Sequence, residues 1–227
     1  MKECYFTSKT IHEKSFQMLQ KLKKYREGHN INFIPEHSAL LIIDMQRYFL
    51  DKSSHAYIPS ALPIIPKIKY LSNAFLEMGS PIIFTRHLNK QKNAKLMSKW
   101  WRDLITEGDV LSEIIPELNL PGAIIIKKTQ YDAFYETPLE DLLKEKGITQ
   151  IVITGVMTHL CCETTARSAF VRGFTVFLPI DGTATYNEAF HLATFLNLSH
   201  GFAIPVLIQE LQSYIQKQHT DLHRLER

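Results

Sequence analysis

The chain has 227 residues, of which 45% are hydrophobic and 22% charged, with a formal net charge of +3. This composition is typical of a soluble protein with one sizeable core, and the small, dispersed charge argues against nucleic-acid binding. The three cysteines, two of them adjacent, match neither a disulfide framework nor a paired structural zinc site. With no apolar run of membrane-spanning length, we expect a cytoplasmic protein that binds neither nucleic acid nor a membrane.

The first 35 residues are polar and rich in lysine. Apolar side chains recur there at roughly helical spacing, which predicts an amphipathic helix from Lys9 to Arg26. We therefore divide the chain into an N-terminal helical extension, residues 1–35, and one main domain, residues 36–227. The extension is expected to pack on the main domain or on a second subunit.

Continuous apolar runs of strand length follow the extension. A run that is apolar on both faces is typical of a parallel sheet covered by helices on both sides. The candidate strands are residues 39–44, 81–85, 123–127, 150–154, 174–178 and 202–206. Pro205 favours an edge position for the last of them.

Helical patterns separate these runs, at residues 64–78, 138–146, 162–172 and 187–200, each followed by glycine. Strands that alternate with helices predict a three-layer α-β-α sandwich of Rossmann-like type, with a mostly parallel sheet of about six strands. The region from 86 to 120 is longer than an ordinary connection and contains Trp100 and Trp101. Such a loop often covers an active site; the alternative is that the tryptophans only pack the insertion.

Three reactive residue types follow strands of the predicted sheet. Asp44 ends the first strand, Lys127 and Lys128 end the third, and Cys161 follows the fourth at the start of a helix. In an open α/β sheet, sites form outside the carboxyl ends of the strands. A carboxylate there accepts the proton of a thiol, and an ammonium stabilises the resulting thiolate. Backbone N–H groups between Gly155 and Cys161 then face a developing oxyanion, which suits attack on an amide or related carbonyl.

Five motifs occur together between residues 38 and 203. They are Leu40-Leu-Ile-Ile-Asp44-Met-Gln46, Phe84-Thr-Arg-His87, Lys128-Thr-Gln-Tyr131-Asp-Ala-Phe134, Gly155-Val-Met-Thr-His-Leu-Cys161 and Asp181-Gly-Thr-Ala. Together they resemble the isochorismatase-like superfamily of cysteine hydrolases. The resemblance implies Asp44 as base, Lys128 as the supporting cation and Cys161 as nucleophile. It also implies a non-proline cis peptide before Met157, and an oxyanion hole made by the N–H groups of Met157 and Cys161.

Other residues near these motifs are candidate contacts for a small-molecule substrate. Arg86 suits a carboxylate or another polar group, although a structural ion pair is an equal alternative. The full candidate set is Gln46, Arg86, His87, Trp100, Trp101, Tyr131, Phe134 and His159. The resemblance further implies a homodimer or homotetramer. No cofactor is expected.

One position distinguishes branches of the superfamily. Isochorismatases proper typically have glycine where this chain has Cys161, so the cysteine favours hydrolysis of a C–N bond in a small amide through a covalent thioester. The alternatives are an isochorismatase proper, with Asp44 as acid, and a catalytically idle member used as an interaction module. Nicotinamidases of the superfamily bind a metal through an Asp-x-His motif. Asp51-Lys-Ser-Ser-His55 differs from it in spacing, which argues against a metal site and places nicotinamide behind other amides.

Overall fold

A parallel β-sheet runs through the centre of the molecule. The computed structural model describes residues 2–29 and 31–225, with side chains up to residue 217. The strands are β1 (Ser38–Ile43), β2 (Ile82–His87), β3 (Ile124–Lys128), β4 (Gln150–Val156), β5 (Thr175–Pro179), β6 (Thr183–Ala184) and β7 (Ile204–Val206). Their order is β3-β2-β1-β4-β5-β7, with β6 beside the end of β4, and every pair is parallel.

Helices cover both faces of the sheet. They are α1 (Ile11–Arg26), α2 (Arg47–Leu50), α3 (Ile65–Glu77), α4 (Met97–Trp100), α5 (Leu139–Glu145), α6 (Glu163–Val171), α7 (Glu188–Gly201) and α8 (Ile208–Leu225). Strands β2 and β3 are added on one side of β1, and β5 and β7 on the other side of β4. Because the crossovers in both directions are right-handed, their helices lie on opposite faces of the sheet. Within the described part of the chain, no helix is long and apolar enough to cross a membrane.

The α/β sandwich predicted from the sequence is confirmed, with one strand more than expected. All six predicted strands are present, and β7, which contains Pro205, lies at an edge of the sheet. The additional strand, β6, has only two residues, which is too short for an apolar run to reveal. Gly201 lies in the last turn of α7 rather than after it, and α8 was not predicted.

The N-terminal extension packs on the main domain. Helix α1 contacts α7 and β7, and its Leu22 side chain is fully buried, as is Phe6 before the helix. Arg26 pairs with Glu210 of α8 at 2.8 Å. The extension therefore contributes to the same apolar core as the sheet, while its separation at residue 35 stays a prediction.

Candidate active site

Asp44, Lys128 and Cys161 meet at the carboxyl ends of the strands. Asp44 directly follows β1, Lys128 ends β3, and Cys161 lies in a one-turn π-helix, Thr158–Cys162, between β4 and α6. The Lys128 ammonium nitrogen is 2.7 Å from Asp44 Oδ2 and 3.4 Å from Cys161 Sγ. Because β2 lies between β1 and β3, the long lysine side chain spans the width of that strand to reach both partners.

The Asp44 carboxylate is held on two sides. The Thr85 hydroxyl, from β2, donates to Asp44 Oδ1 at 2.7 Å and accepts from the Asp44 N–H at 3.1 Å. Lys128 contacts the other carboxylate oxygen, and both charged side chains are fully buried. The two contacts together fix the plane of the carboxylate.

Lys128 remains an ammonium in this environment. Burial alone would lower its pKa, but the adjacent Asp44 carboxylate and the Cys161 sulfur together raise it above its ordinary value. The ammonium also donates to the Gln130 carbonyl at 2.9 Å. A buried cation with these acceptors neutralises the carboxylate and stabilises negative charge that develops on the sulfur.

His87 supplies a further acceptor to Lys128. Asn89 Nδ2 donates to the Thr129 carbonyl at 2.9 Å, so its Oδ1 is the atom that faces His87 Nε2 at 2.7 Å. The hydrogen of the neutral imidazole therefore lies on Nε2, which leaves Nδ1 to accept from Lys128 Nζ at 3.3 Å. Burial and the Lys128 charge lower the pKa of His87 to about 4, so the ring is neutral near pH 7.

Cys161 rests as a thiol. Burial, together with the Asp44 charge, raises its pKa to about 12 against the opposing effect of Lys128. The Asp44 carboxylate and the Cys161 sulfur both contact the Lys128 ammonium, so the carboxylate lies close to the thiol. The sequence placed Cys161 at the start of a helix, with a carboxylate to accept its proton and an ammonium to stabilise the thiolate. The sulfur is almost completely buried, in a π-turn directly before α6.

The turn that carries Cys161 depends on close packing between β1 and β4. Gly155 has a φ of 106°, and a Cβ atom there would lie 2.1 Å from the carbonyl oxygen of Ile43. Only glycine fits this position. The following peptide bond, between Val156 and Met157, is cis. Cys162 is fully buried beside the nucleophile candidate.

A small cavity of ≈ 60 Å³ opens onto Cys161. Of the substrate contacts expected from the sequence, His87, Trp101 and Tyr131 line it, as does Met157. The Trp101 indole N–H donates to the Tyr131 hydroxyl at 2.7 Å, which links the 86–120 region to the wall that follows β3. Residues 97–105 supply further lining, so this region covers the cavity as expected.

The other expected contacts lie outside this lining. Gln46 and Arg86 both bind the Ser112 carbonyl, and Gln46 also accepts from the His87 N–H, so they attach the 86–120 region to the sheet. Arg86 and His87 are adjacent on β2, where successive side chains point to opposite faces. Trp100 is 76% exposed, although its neighbour Trp101 lines the cavity.

Phe134 and His159 are also absent from the cavity lining. Phe134 stacks on Phe174 in the core at a centroid distance of 5.9 Å. His159 stacks on Phe190 of α7 and contacts the Thr185 hydroxyl. Both rings therefore pack on other parts of the fold, Phe134 on the residue before β5 and His159 on α7.

Several lining residues were not anticipated from the sequence. Tyr48, His55 and Asp103 form a polar group at the cavity: Asp103 Oδ2 lies 3.1 Å from His55 Nδ1, and the Tyr48 hydroxyl 3.3 Å from His55 Nε2. Tyr186, from the segment after β6, completes the aromatic wall. These residues come from α2 and the segment after it, from the 86–120 region and from the segment after β6, so only the fold brings them together.

The family-model comparison decides the family. The Isochorismatase domain model matches residues 38–210, which include every motif quoted above. The chain belongs to the isochorismatase family. Nicotinamidase 3 of Arabidopsis thaliana is 38% identical over 182 residues, covering 77% of this chain and 87% of the relative. Enterobactin synthase component B of Escherichia coli is 31% identical over 183 residues, covering 79% of this chain and 64% of that protein.

Solved structures share the isochorismatase-family fold. A cysteine hydrolase from Pseudomonas syringae pv. phaseolicola superposes with a TM-score of 0.76 at 22% identity, covering 83% of this chain and 96% of the other. The pyrazinamidase of Pyrococcus horikoshii, in complex with zinc, gives 0.68 at 25% identity, covering 75% and 99%. The relatives are named hydrolases, and this isochorismatase-family chain is accordingly a hydrolase.

Proposed function

We propose that this hydrolase cleaves the C–N bond of a small amide through a covalent thioester on Cys161. One observation carries the proposal: the buried Lys128 ammonium lies 2.7 Å from Asp44 and 3.4 Å from the Cys161 sulfur, and Cys161 lines a cavity. Base, cation and nucleophile are thus within reach of one bound carbonyl. A vinyl-ether hydrolase needs an acid but has no use for the thiol.

Acylation begins from the resting thiol. The sulfur attacks the amide carbon while Asp44 takes the S–H proton, so the C–S bond forms and the carbonyl electron pair moves to the oxygen. Backbone N–H groups of Met157 and Cys161 stabilise that oxyanion. The Lys128 ammonium stabilises the negative charge on Asp44 before the proton transfer and on the sulfur as it develops there. Burial raises the pKa of Cys161 to about 12, so in this proposal the S–H proton passes to Asp44 as the sulfur attacks.

The same carboxyl group serves the later steps. The C–N bond breaks as Asp44, now protonated, passes its proton to the departing ammonia or amine, which completes acylation and leaves the thioester. Asp44 then takes a proton from water as the water oxygen attacks the thioester carbon. The C–S bond breaks, the carboxylic acid leaves, and Asp44 returns that proton to the sulfur.

The residues around the cavity do not fit a zinc ion like that of the Pyrococcus pyrazinamidase. The residues that the structure describes contain no group of three or more His, Cys, Asp or Glu side chains able to hold a metal. His87 is engaged on both ring nitrogens by Asn89 and Lys128. His55 is engaged by Asp103 and Tyr48. The proposed steps therefore use only groups of the protein.

The substrate class follows from the cavity and from one relative. Aromatic side chains on several sides suit a flat, small molecule, and the polar groups at His55 and Asp103 suit a heteroatom on it. The sequence placed nicotinamide behind other amides because the Asp-x-His motif is missing. The 38% identity to Nicotinamidase 3 brings nicotinamide to the front of the substrates to test.

The test compares the two adjacent cysteines. Ammonia release is measured for nicotinamide, other small amides and ureides, with wild type, Cys161→Ala and Cys162→Ala. We expect Cys161→Ala to lose turnover by at least about 10³-fold, as other catalytic nucleophiles do, and Cys162→Ala to retain it. Substantial amide turnover by Cys161→Ala would rule out the covalent mechanism. Hydrolysis of isochorismate by Cys161→Gly, with no amide turned over by wild type, would favour an isochorismatase proper.

A further inference from the structure

The first described residues of the chain lie against the cavity, although they precede the region matched by the family model. The Glu3 N–H donates to the Tyr186 carbonyl at 2.7 Å, and the Lys2 ammonium lies 4.9 Å over the Tyr186 ring. Lys2 also donates to the His55 carbonyl. Tyr186 and His55 both line the cavity, so this end of the segment contacts two parts of its wall.

Tyr5 connects the same segment to Thr185 and His191, which contact the turn that carries Cys161. Its ring is 4% exposed, and its hydroxyl accepts from the Thr185 N–H at 3.0 Å. Burial raises the pKa of Tyr5, so the phenol keeps its proton. The remaining partner is His191 Nδ1 at 3.1 Å, which accepts that proton in a hydrogen bond.

The contacts continue from Tyr5 into the turn that carries Cys161. His191 Nδ1 is also 3.0 Å from the hydroxyl of Thr158, the first residue of the π-turn. Burial lowers the pKa of His191 to about 3, which keeps the ring neutral and able to accept. The Thr185 hydroxyl contacts His159, the second residue of the turn. Tyr5 thus reaches the turn by two routes.

The segment itself is firmly attached. Phe6 is fully buried, and its N–H donates to the Ser60 hydroxyl at 3.1 Å, which in turn donates to the Glu3 carbonyl at 3.1 Å. The Glu3 carboxylate accepts from the Glu188 N–H at the start of α7. Both ends of Lys2–Phe6 are therefore fixed with respect to the sheet and α7, which lets the segment hold other groups in place.

We propose that the segment Lys2–Phe6 is a positioning element of the active site. Its first residues hold Tyr186 and His55 in position at the cavity wall. Tyr5 holds the turn that carries Cys161 in position. The kinetic consequences rest on the proposed function. They are large enough to measure, because a displacement of about 1 Å far from the chemistry can cost about 10²-fold in rate.

Tyr5→Phe tests the route to the turn, because it keeps the ring and removes only the hydroxyl. We expect kcat to fall about tenfold, within the range that small displacements produce. Thr158→Val, which removes the contact to His191, should lower kcat similarly, and Thr158→Ser should restore it. Tyr70→Phe, at an exposed tyrosine of α3, is the matched control and should match wild type. Thermal unfolding is followed for each variant.

Lys2→Met tests the other end of the segment. The methionine keeps most of the side-chain length and loses the charge over Tyr186, so we expect KM to rise a few-fold with kcat unchanged. This separation of KM from kcat between Lys2→Met and Tyr5→Phe would not arise from a general loss of stability. Wild-type kinetics in folded Tyr5→Phe, or equal kinetics of Thr158→Val and Thr158→Ser, would overturn the proposal.

A second measurement needs no substrate and separates this inference from the proposed function. Iodoacetamide modification of Cys161 is followed by mass spectrometry in a Cys4→Ser background, because Cys4 is exposed. Tyr5→Phe and Thr158→Val should change the rate at least about threefold, whereas Thr158→Ser and Tyr70→Phe should not. If wild type hydrolyses no amide, the proposed function fails while these rates still decide the inference. Identical rates in all variants would overturn it.

Discussion

At the scale of single residues, the candidate site contains a buried charge pair next to the Cys161 sulfur. Lys128 and Asp44 are both fully buried and 2.7 Å apart. Removing one partner of such a pair leaves the other charge in the interior, which is more costly than the pair itself. The same contact holds the Asp44 carboxylate in a fixed position beside Lys128.

Lys128→Met should therefore reduce both stability and activity. We expect the free energy of unfolding to fall by about 3–5 kcal/mol, with amide turnover lost. Lys127→Met, at the neighbouring exposed lysine, is the matched control and should change stability by less than about 0.5 kcal/mol. Urea unfolding measures both variants. A Lys128→Met protein as stable as Lys127→Met would contradict a charge pair of this kind.

The buried histidines should make stability depend on pH in the acid range. Burial lowers the pKa of His87 from 6.5 to about 4 and that of His191 from 6.5 to about 3. The unfolded chain takes up protons below pH 6.5 and the folded chain does not, so stability is present above pH 6.5 and is lost toward pH 4. Each histidine contributes up to about 1.4 kcal/mol per pH unit.

Urea midpoints measured between pH 7 and pH 4.5 check this dependence. His87→Gln should be less stable than wild type at pH 7 but should lose less stability on acidification, because one proton-uptake site is gone. His12→Gln, at an exposed histidine of α1, is the control and should keep the wild-type slope. Equal slopes for His87→Gln and wild type would show that His87 is not held neutral.

At the scale of elements, the described strands other than the two-residue β6 were predictable because each lies in a continuous apolar run. Their carboxyl ends indicated Asp44, Lys128 and Cys161, which the fold does bring together. Thr85 was quoted only as part of a motif, because its contact with Asp44 depends on the pairing of β1 with β2. The sequence could not distinguish adjacent residues of the same type. Trp100 is exposed whereas Trp101 lines the cavity, because their side chains point in different directions.

The loop between β2 and β3 offers a direct test at this scale. Trp101→Phe keeps an aromatic ring and removes the N–H that donates to the Tyr131 hydroxyl, so no hydrogen bond holds the ring against the opposite wall. We expect KM to rise about fivefold, which corresponds to about 1 kcal/mol, the usual net value of one hydrogen bond. Trp100→Phe, at the exposed neighbour, should leave KM unchanged. Steady-state kinetics with the best amide of the panel decide between them.

At the scale of the whole molecule, the chain is a family domain joined to an extension that shares its core. The extension was predicted as a helix with no chemical motif, and its contacts with Tyr186 and the catalytic turn could not be read from local sequence. They join residues about 180 positions apart, such as Tyr5 with Thr185 and His191. The expected homodimer or homotetramer and the cytoplasmic location stay predictions.

Leu22→Ala tests whether the extension belongs to the core. Leu22 is fully buried against the main domain, so we expect a loss of about 2–5 kcal/mol in the free energy of unfolding. Phe16→Ala, on the same helix but 49% exposed, is the control and should lose much less. A single cooperative transition, seen by circular dichroism in both variants, would show that extension and sheet unfold together. Equal stabilities would place α1 outside the core.

The covalent intermediate is the central claim of the mechanism. Wild-type protein turning over its best amide is quenched in acid, and its intact mass and peptide masses are measured. We predict an added acyl group on Cys161 alone, present in wild type and Cys162→Ala and absent in Cys161→Ala. Turnover without any acyl adduct on Cys161, in an enzyme quenched within a single turnover, would contradict the thioester mechanism.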